Sequence, residues 1–443
     1  MKQKLFIIIL FLSFLSVLMA SDTRKIEFVE YTLDNGLHVI IHQDNSTPIV
    51  AVGLMYHVGS KNEDPERTGF AHFFEHLMFE GTENIERGEY FKLIQSNGGT
   101  LNANTSFDRT YYYQVLPSNQ LKLGLWMESE RLLHAKIDSL GVETQRKVVK
   151  EERKQRLDNQ PYGSILEQTF SHAYKVHPYQ WTPIGSAQYI DQATLDEFID
   201  FYKTFYVPQN STLTVAGDLD IDQTKEWIDD YFASIPKGSK EIYRPNIQEP
   251  KMTAEVRDTV YDNIQLPAVI QAYHIPAQGT DDYYALNMLT TILSSGQSSR
   301  MYKAIVDKEQ KAIQVGSFPL ALEDPGLFLA FGIANAGVDP KDLEGSMQEQ
   351  INKVKDELIT ETEFQKIRNQ MEDDFVSSNS TVNGIAESLA NYHVYFGDAN
   401  LINTELERYM KVTREDIQRV AKKYLDENNR VVLYYLPKSQ KQS

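Results

Sequence analysis

Apolar residues fall along this chain in two rhythms. Short β-branched and aromatic runs at 27–33, 37–42, 50–57, 109–116 and 211–216 predict strands, each bounded by turn-forming residues. Asn35-Gly36 between the first two runs is a hairpin signal, because both residues accept positive φ. Other segments repeat apolar residues every three to four positions and predict amphipathic helices, among them GFAHFFEHLMFEG at 69–81 and TLDEFIDFYKTF at 194–205.

The pattern then recurs. Residues 194–210 lead into Ser211-Thr-Leu-Thr-Val215, and residues 413–429 (TREDIQRVAKKYLDENN) lead into Arg430-Val-Val-Leu-Tyr434. Both copies have a Thr N-cap, an amphipathic helix ending in an aromatic, an Asn-containing turn and a β-branched run. A second echo pairs LMYHVGSKNED at 54–64 with QAYHIPAQGTDD at 271–282, each leading into a helical segment that closes at Gly81 or Gly296. Aligned on those glycines, His72, Glu75 and His76 stand opposite Asn287, Thr290 and Thr291. The second copy keeps the helix and drops the titratable groups. We therefore read an α+β chain of two homologous domains from an internal duplication, each a mainly antiparallel sheet covered by helices. They span 26–236 and 257–439, joined by a charged linker at 237–256 with Gly238, Pro245 and Pro250. The length of 443 residues exceeds what one core usually supports.

The first copy's helix carries the chemistry. In His72-Phe-Phe-Glu75-His76 the two imidazoles lie one turn apart on one face, so both can ligate one metal ion. Glu75 is placed to reach a water at the metal without ligating it, the arrangement of an inverted H-x-x-E-H metallohydrolase. A bland amphipathic helix is the competing reading, supported by Phe70, Phe73, Phe74 and Leu77, but it leaves two His and a Glu to be buried unpaired at several kcal/mol. Catalytic zinc usually takes a third protein ligand. On the predicted helix 143–153, Glu152 joins the inward face of Val142 and Val149, whereas Glu151 lies further round. An exposed charged helix is the equal alternative for both.

Composition narrows the setting. A net charge of −18 without a basic stretch argues against nucleic acid as a partner. Lys2 and Lys4 followed by an apolar run to Met19 predict a signal peptide over 1–20, and hence export to the periplasm. An uncleaved leader anchoring the chain in the inner membrane is the alternative, and the only membrane contact expected. With no Cys at all, any metal must be held by His and carboxylate.

These motifs resemble the inverzincin zinc peptidases that include pitrilysin, insulin-degrading enzyme and mitochondrial processing peptidase. The resemblance runs through His72-Phe-Phe-Glu-His76, Gly98-Gly99-Thr-Leu-Asn102-Ala103-Asn104-Thr105, the helix with Glu152, His177-Pro178-Tyr179, Ile184-Gly185, Tyr206-Val-Pro208-Gln-Asn210 and Ala216-Gly217-Asp218. It implies a zinc endopeptidase with one Zn2+ per chain on His72, His76 and Glu152, and Glu75 as general base. It implies that Gly98, Gly99, Asn102 and Ala103 belong to an edge strand that pairs with a peptide substrate; an ordinary glycine-containing hairpin is the other reading. One departure is Gln145, where family members usually carry a Glu that supports the metal ligands, two turns before the third of them; an amide brings no charge there. The family's chamber needs two such double-domain halves, so a homodimer, or a heterodimer with a zinc-less homologous subunit, is expected. A non-catalytic scaffold on the same fold is the rival function, and zinc hydrolysis of a non-peptide bond a third.

Overall fold

The structure is a computed structural model that describes residues 25–441. The leader assigned to residues 1–20 lies outside the described residues. Among those described, no helix is long and apolar enough to cross a membrane.

Two sheets organise the chain. The first contains β1 (Val29–Thr32), β2 (His38–Gln43), β3 (Ile49–Tyr56), β4 (Thr100–Thr105), β5 (Thr110–Pro117) and β6 (Ser211–Gly217), in the order β1-β2-β6-β3-β5-β4. The second contains β7 (Val256–Asp262), β8 (Ala268–His274), β9 (Ala312–Leu320), β10 (Leu327–Ala334) and β11 (Arg430–Pro437), in the order β7-β11-β8-β10-β9. In each sheet one parallel pair, β2 with β6 and β7 with β11, is followed by antiparallel neighbours. The orders superpose strand for strand once β1 is set aside. The α+β fold with two mainly antiparallel, helix-covered sheets is therefore present, and the duplication is visible in the topology.

The helices used below are α1 (Phe70–Leu77), α2 (Ser139–Arg153), α3 (Ile165–Ala173), α4 (Leu195–Phe205), α5 (Asp281–Ser294), α6 (Glu361–Ser378), α7 (Val382–Phe396) and α8 (Arg414–Tyr424). Thr194 and Thr413 close capping boxes with Glu197 and Asp416, which fixes the starts of α4 and α8 in the two copies.

The halves are interlocked. Helix α7, from the second half, packs on β3 and β6 of the first sheet, where Val382 and Ala386 meet Ala51 and Ala216. Helix α3, from the first half, packs on β8 and β11 of the second sheet through Phe170 and Ala173. With helices on both faces, β6 is buried along its whole length and β3 everywhere but Ile49. The linker segment is strapped down: Glu249 accepts hydrogen bonds from the amides of Lys175, Val176 and His177 at 2.8–3.0 Å. Its last residue, Val256, already belongs to β7.

Candidate metal centre

Helix α1 is held at both ends. Gly69 precedes it at φ 98°, a left-handed conformation that suits glycine, and a Cβ on Gly185 would come within 2.3 Å of the Gly69 backbone. Buried Glu63 caps the first turn, accepting from the amides of Gly69 (2.9 Å) and Ala71 (2.8 Å) and from the Trp181 indole (3.1 Å). At the far end the Arg131 guanidinium donates to the carbonyl of Met78 at 2.7 Å. Between them Phe70, Phe73 and Phe74 stack on Phe198 and Phe201 of α4, with ring centroids 4.5–5.3 Å apart for the stacked pairs. The apolar residues that support the bland reading thus anchor the helix, while its other face carries the polar groups.

That face meets α2. Val142 and Val149 are buried as the periodicity requires, and Glu152 turns with them towards α1 while Glu151 is exposed. Glu152 Oε2 lies 3.1 Å from His76 Nε2 and 3.5 Å from His72 Nε2, with the two rings 5.0 Å apart and nearly perpendicular. One ligand atom from each of the three residues falls within 4.8 Å of the others. Burial, followed by the neighbouring His76, depresses His72 to about 4, so its imidazole is neutral. His76 foremost, together with His72, holds the Glu152 carboxyl below its usual range. Buried His72 Nδ1 has no hydrogen-bond partner among the described residues, and the only groups facing buried Glu152 Oε2 are the two imidazole nitrogens. A neutral imidazole, a second imidazole beside it and an ionised carboxylate converging in this way fit a tetrahedral N/O-ligated cation such as zinc.

Glu75 lies beside this cluster and outside it. Its Oε2 accepts a hydrogen bond from Thr105 Oγ1 at 2.6 Å. Burial raises its carboxyl above the ordinary value, against the lowering pull of Thr105 and His76. Thr105 ends β4, which pairs with β5 alone and forms the sheet edge next to α1. Asn102 and Ala103 sit mid-strand, opposite Tyr113 and Tyr112. Gly98 and Gly99 precede the strand, and backbone conformation accounts for the first and close packing for the second. Gly98 turns the chain at φ 78°, and a Cβ on Gly99 would lie 2.4 Å from Leu116 and 2.8 Å from the Val115 carbonyl.

Gln145 is placed differently from a group that buttresses a metal ligand. Its amide donates to Glu80, which also pairs with Arg87. Among the described residues it makes no hydrogen bond to His72 or His76. Two contacts with the site escaped sequence reasoning. Thr105 stands inside the quoted motif, yet only the edge position of β4 reveals that it orients Glu75. Arg156, in a π-helical turn after α2, pairs with Glu152 Oε1 at 2.9 Å, an i, i+4 relation that was readable on a continued helix. His38 and His393, which share no ligand spacing in the sequence, are also brought together with Glu30. Burial holds both imidazoles below their ordinary range, His393 at about 4.

Comparison with known proteins identifies related chains. Residues 38–184 match the family described as Insulinase (Peptidase family M16), and residues 192–371 match the Peptidase M16 inactive domain. The zinc protease PqqE of Helicobacter pylori is 33% identical over 411 residues, covering 92% of each chain. The crystal structure of a protease from Helicobacter pylori superposes with a TM-score of 0.89 at 31% identity, covering 93% of this chain and all of that one. The periplasmic protease PqqL from Escherichia coli shares the fold at TM-score 0.76 and 18% identity, with 94% of this chain matching 48% of that one.

Proposed function

Because the chain belongs to the insulinase (M16) family of peptidases, we propose that it is a zinc metalloendopeptidase acting on peptides or unfolded polypeptide segments in the cell envelope. The observation that carries this reading is the convergence of His72, His76 and Glu152, with Glu75 held alongside them by Thr105. Bound by those three residues, one Zn2+ would polarise the scissile carbonyl and acidify an adjacent water towards a pKa of about 7. Glu75 takes the proton of the attacking water and returns it to the leaving amine. The Thr105 hydroxyl fixes one Glu75 oxygen, which leaves the other to carry that proton. The free edge of β4 pairs with an extended peptide through main-chain groups around Asn102 and Ala103, an arrangement that demands little of the substrate's sequence.

One half of a closed chamber is present in this chain, as its match to about half of PqqL supports. The second half is a further copy of this chain or a zinc-less homologous subunit. The basic, then apolar, start of the sequence supports export to the periplasm. The test combines metal analysis of the purified protein with cleavage of a quenched peptide, alone and mixed with a candidate partner. Glu75→Gln is expected to keep its zinc and lose about 10²- to 10⁴-fold in kcat. A variant with full activity removes Glu75 from the mechanism, and a wild-type protein without zinc removes the hydrolase reading.

A further inference from the structure

Among the described residues only two groups of three His, Asp or Glu side chains converge closely enough to share a metal ion. One is the centre described above. The other is Glu30, His38 and His393, on β1, β2 and α7. Strand β2 lies four neighbours from β4 across the first sheet, about 19 Å away at roughly 4.8 Å per strand, so the two groups are separate.

The local geometry brings the three side chains together, with Glu30 and His38 already oriented on each other. Thr32 and His38 are directly paired across the β1–β2 ladder, and Glu30 lies two residues along β1 on the same face. The His38 ring is fixed at both nitrogens: Nδ1 is 3.0 Å from Thr32 Oγ1 and Nε2 is 3.1 Å from Glu30 Oε2. His393 reaches this pair from the other half of the chain and lays its ring flat on His38, centroids 3.5 Å apart and planes within 2°. Among the described residues its ring nitrogens make no hydrogen bond, so nothing but the stack holds its orientation.

We infer that Glu30, His38 and His393 form a second, structural site for a divalent transition metal ion, tying the first sheet's edge to the helix contributed by the second half. A tetrahedral zinc with ligands at 2.0–2.1 Å separates its ligand atoms by about 3.3 Å. The Glu30–His38 separation of 3.1 Å is at that distance, and equals the Glu152–His76 separation in the first centre. Thr32 on Nδ1 presents Nε2 to the ion, as a hydrogen-bonded partner commonly does for a ligating histidine. An ion lies in the plane of each ring that binds it, so His393 must tilt off the stack to complete the set. Its unpartnered nitrogens and its place in the last turn of α7 allow that movement. Two nitrogens and one oxygen suit zinc, nickel or copper and exclude magnesium or calcium, which prefer all-oxygen shells.

The experiment titrates the chelator-stripped, full-length protein with Zn2+ alone and counts bound metal after desalting. Wild type is expected to bind two equivalents. His393→Phe, which keeps an aromatic ring in the stack, and Glu30→Gln, which changes one side chain on an edge strand, should each bind one and still cleave peptide. The second equivalent should raise Tm by a few degrees in wild type and leave both variants unmoved. His76→Ala should likewise bind one, and the pair His76→Ala/His393→Phe none. One equivalent in wild type that His76→Ala abolishes, or two equivalents in either His393→Phe or Glu30→Gln, overturns the inference. Failure of the first centre would show separately, as a His76→Ala protein that binds as much as wild type.

Discussion

Helices α1 and α5 occupy equivalent places in the two halves, each beside the edge strand of its sheet, and they resolve the same packing problem differently. On α1 the corresponding positions are His72, which is buried with its Nδ1 unpartnered among the described residues, and the half-buried Glu75 and His76. On α5 the equivalent residues satisfy themselves: Asn287 donates to the Tyr409 hydroxyl at 2.7 Å and Thr290 to the Asn287 carbonyl at 2.7 Å. The second half demonstrates that this scaffold stands without imidazoles or a carboxylate at these positions. Burying them in the first half therefore adds cost without adding packing, and their retention is explained by chemistry.

The strongest way to break that comparison is to write the second half into the first. His72→Asn/Glu75→Thr/His76→Thr should lose the equivalent of zinc held by the first centre and all measurable cleavage. The metal-free triple variant should be at least as stable as metal-free wild type, and more so by about 1–3 kcal/mol if unpaired buried polar groups are relieved. Thermal unfolding of the two apo proteins measures this. A Tm several degrees below that of the apo wild type would mean that the histidines serve packing, and the comparison fails.

A smaller effect concerns the contact that α1 makes with its strand. Thr105→Val keeps shape and burial but removes the hydroxyl that holds Glu75 Oε2. One hydrogen bond to a charged group contributes about 1.5–3 kcal/mol, so kcat should fall roughly 10- to 100-fold with KM nearly unchanged. Thr105→Ser should recover most of the loss. An undamaged Val variant beside a damaged Ser variant would point to β-branching in β4 rather than to the hydroxyl.

The parts of this arrangement that were legible in the sequence are the ones encoded locally. The pentapeptide sets the two imidazoles one turn apart, and the Val142/Val149 stripe turns Glu152 inward, because helical periodicity alone fixes both relations. The two Thr caps and the strands around them were equally readable. What stayed hidden depends on which elements meet. Helices α3 and α7 look like ordinary amphipathic helices of their own halves, and only the assembled chain shows that each covers the other half's sheet. Gln145 sits at the right distance along α2 to buttress the metal, yet its amide donates to Glu80, far from it in sequence and itself paired with Arg87. Glu30, His38 and His393 share no spacing that a motif could express.

The interlocking of the halves can itself be tested, with the smallest expected effect. Besides the exchanged helices, an ionic cluster joins them: buried Lys61 pairs with buried Asp108 of the first half and with half-buried Glu323 and Asp324 of the second. His57 Nε2 adds a contact to Glu323 Oε2 at 3.0 Å. Burial alone would raise the Glu323 carboxyl, but His57 and Lys61 outweigh it and hold it at about 2. Its unfolded-state value is 4.5, so the folded state favours the ionised form. The stability it contributes is then fully present above about pH 4.5 and is lost as pH falls towards about 2. Glu323→Gln removes this dependence by removing the charge. The Tm of wild type should exceed that of the variant by a few degrees at pH 6–7, and the gap should close progressively below about pH 4.5. A gap that is unchanged at pH 3 would mean that Glu323 contributes through shape alone, leaving the exchanged helices to hold the halves together.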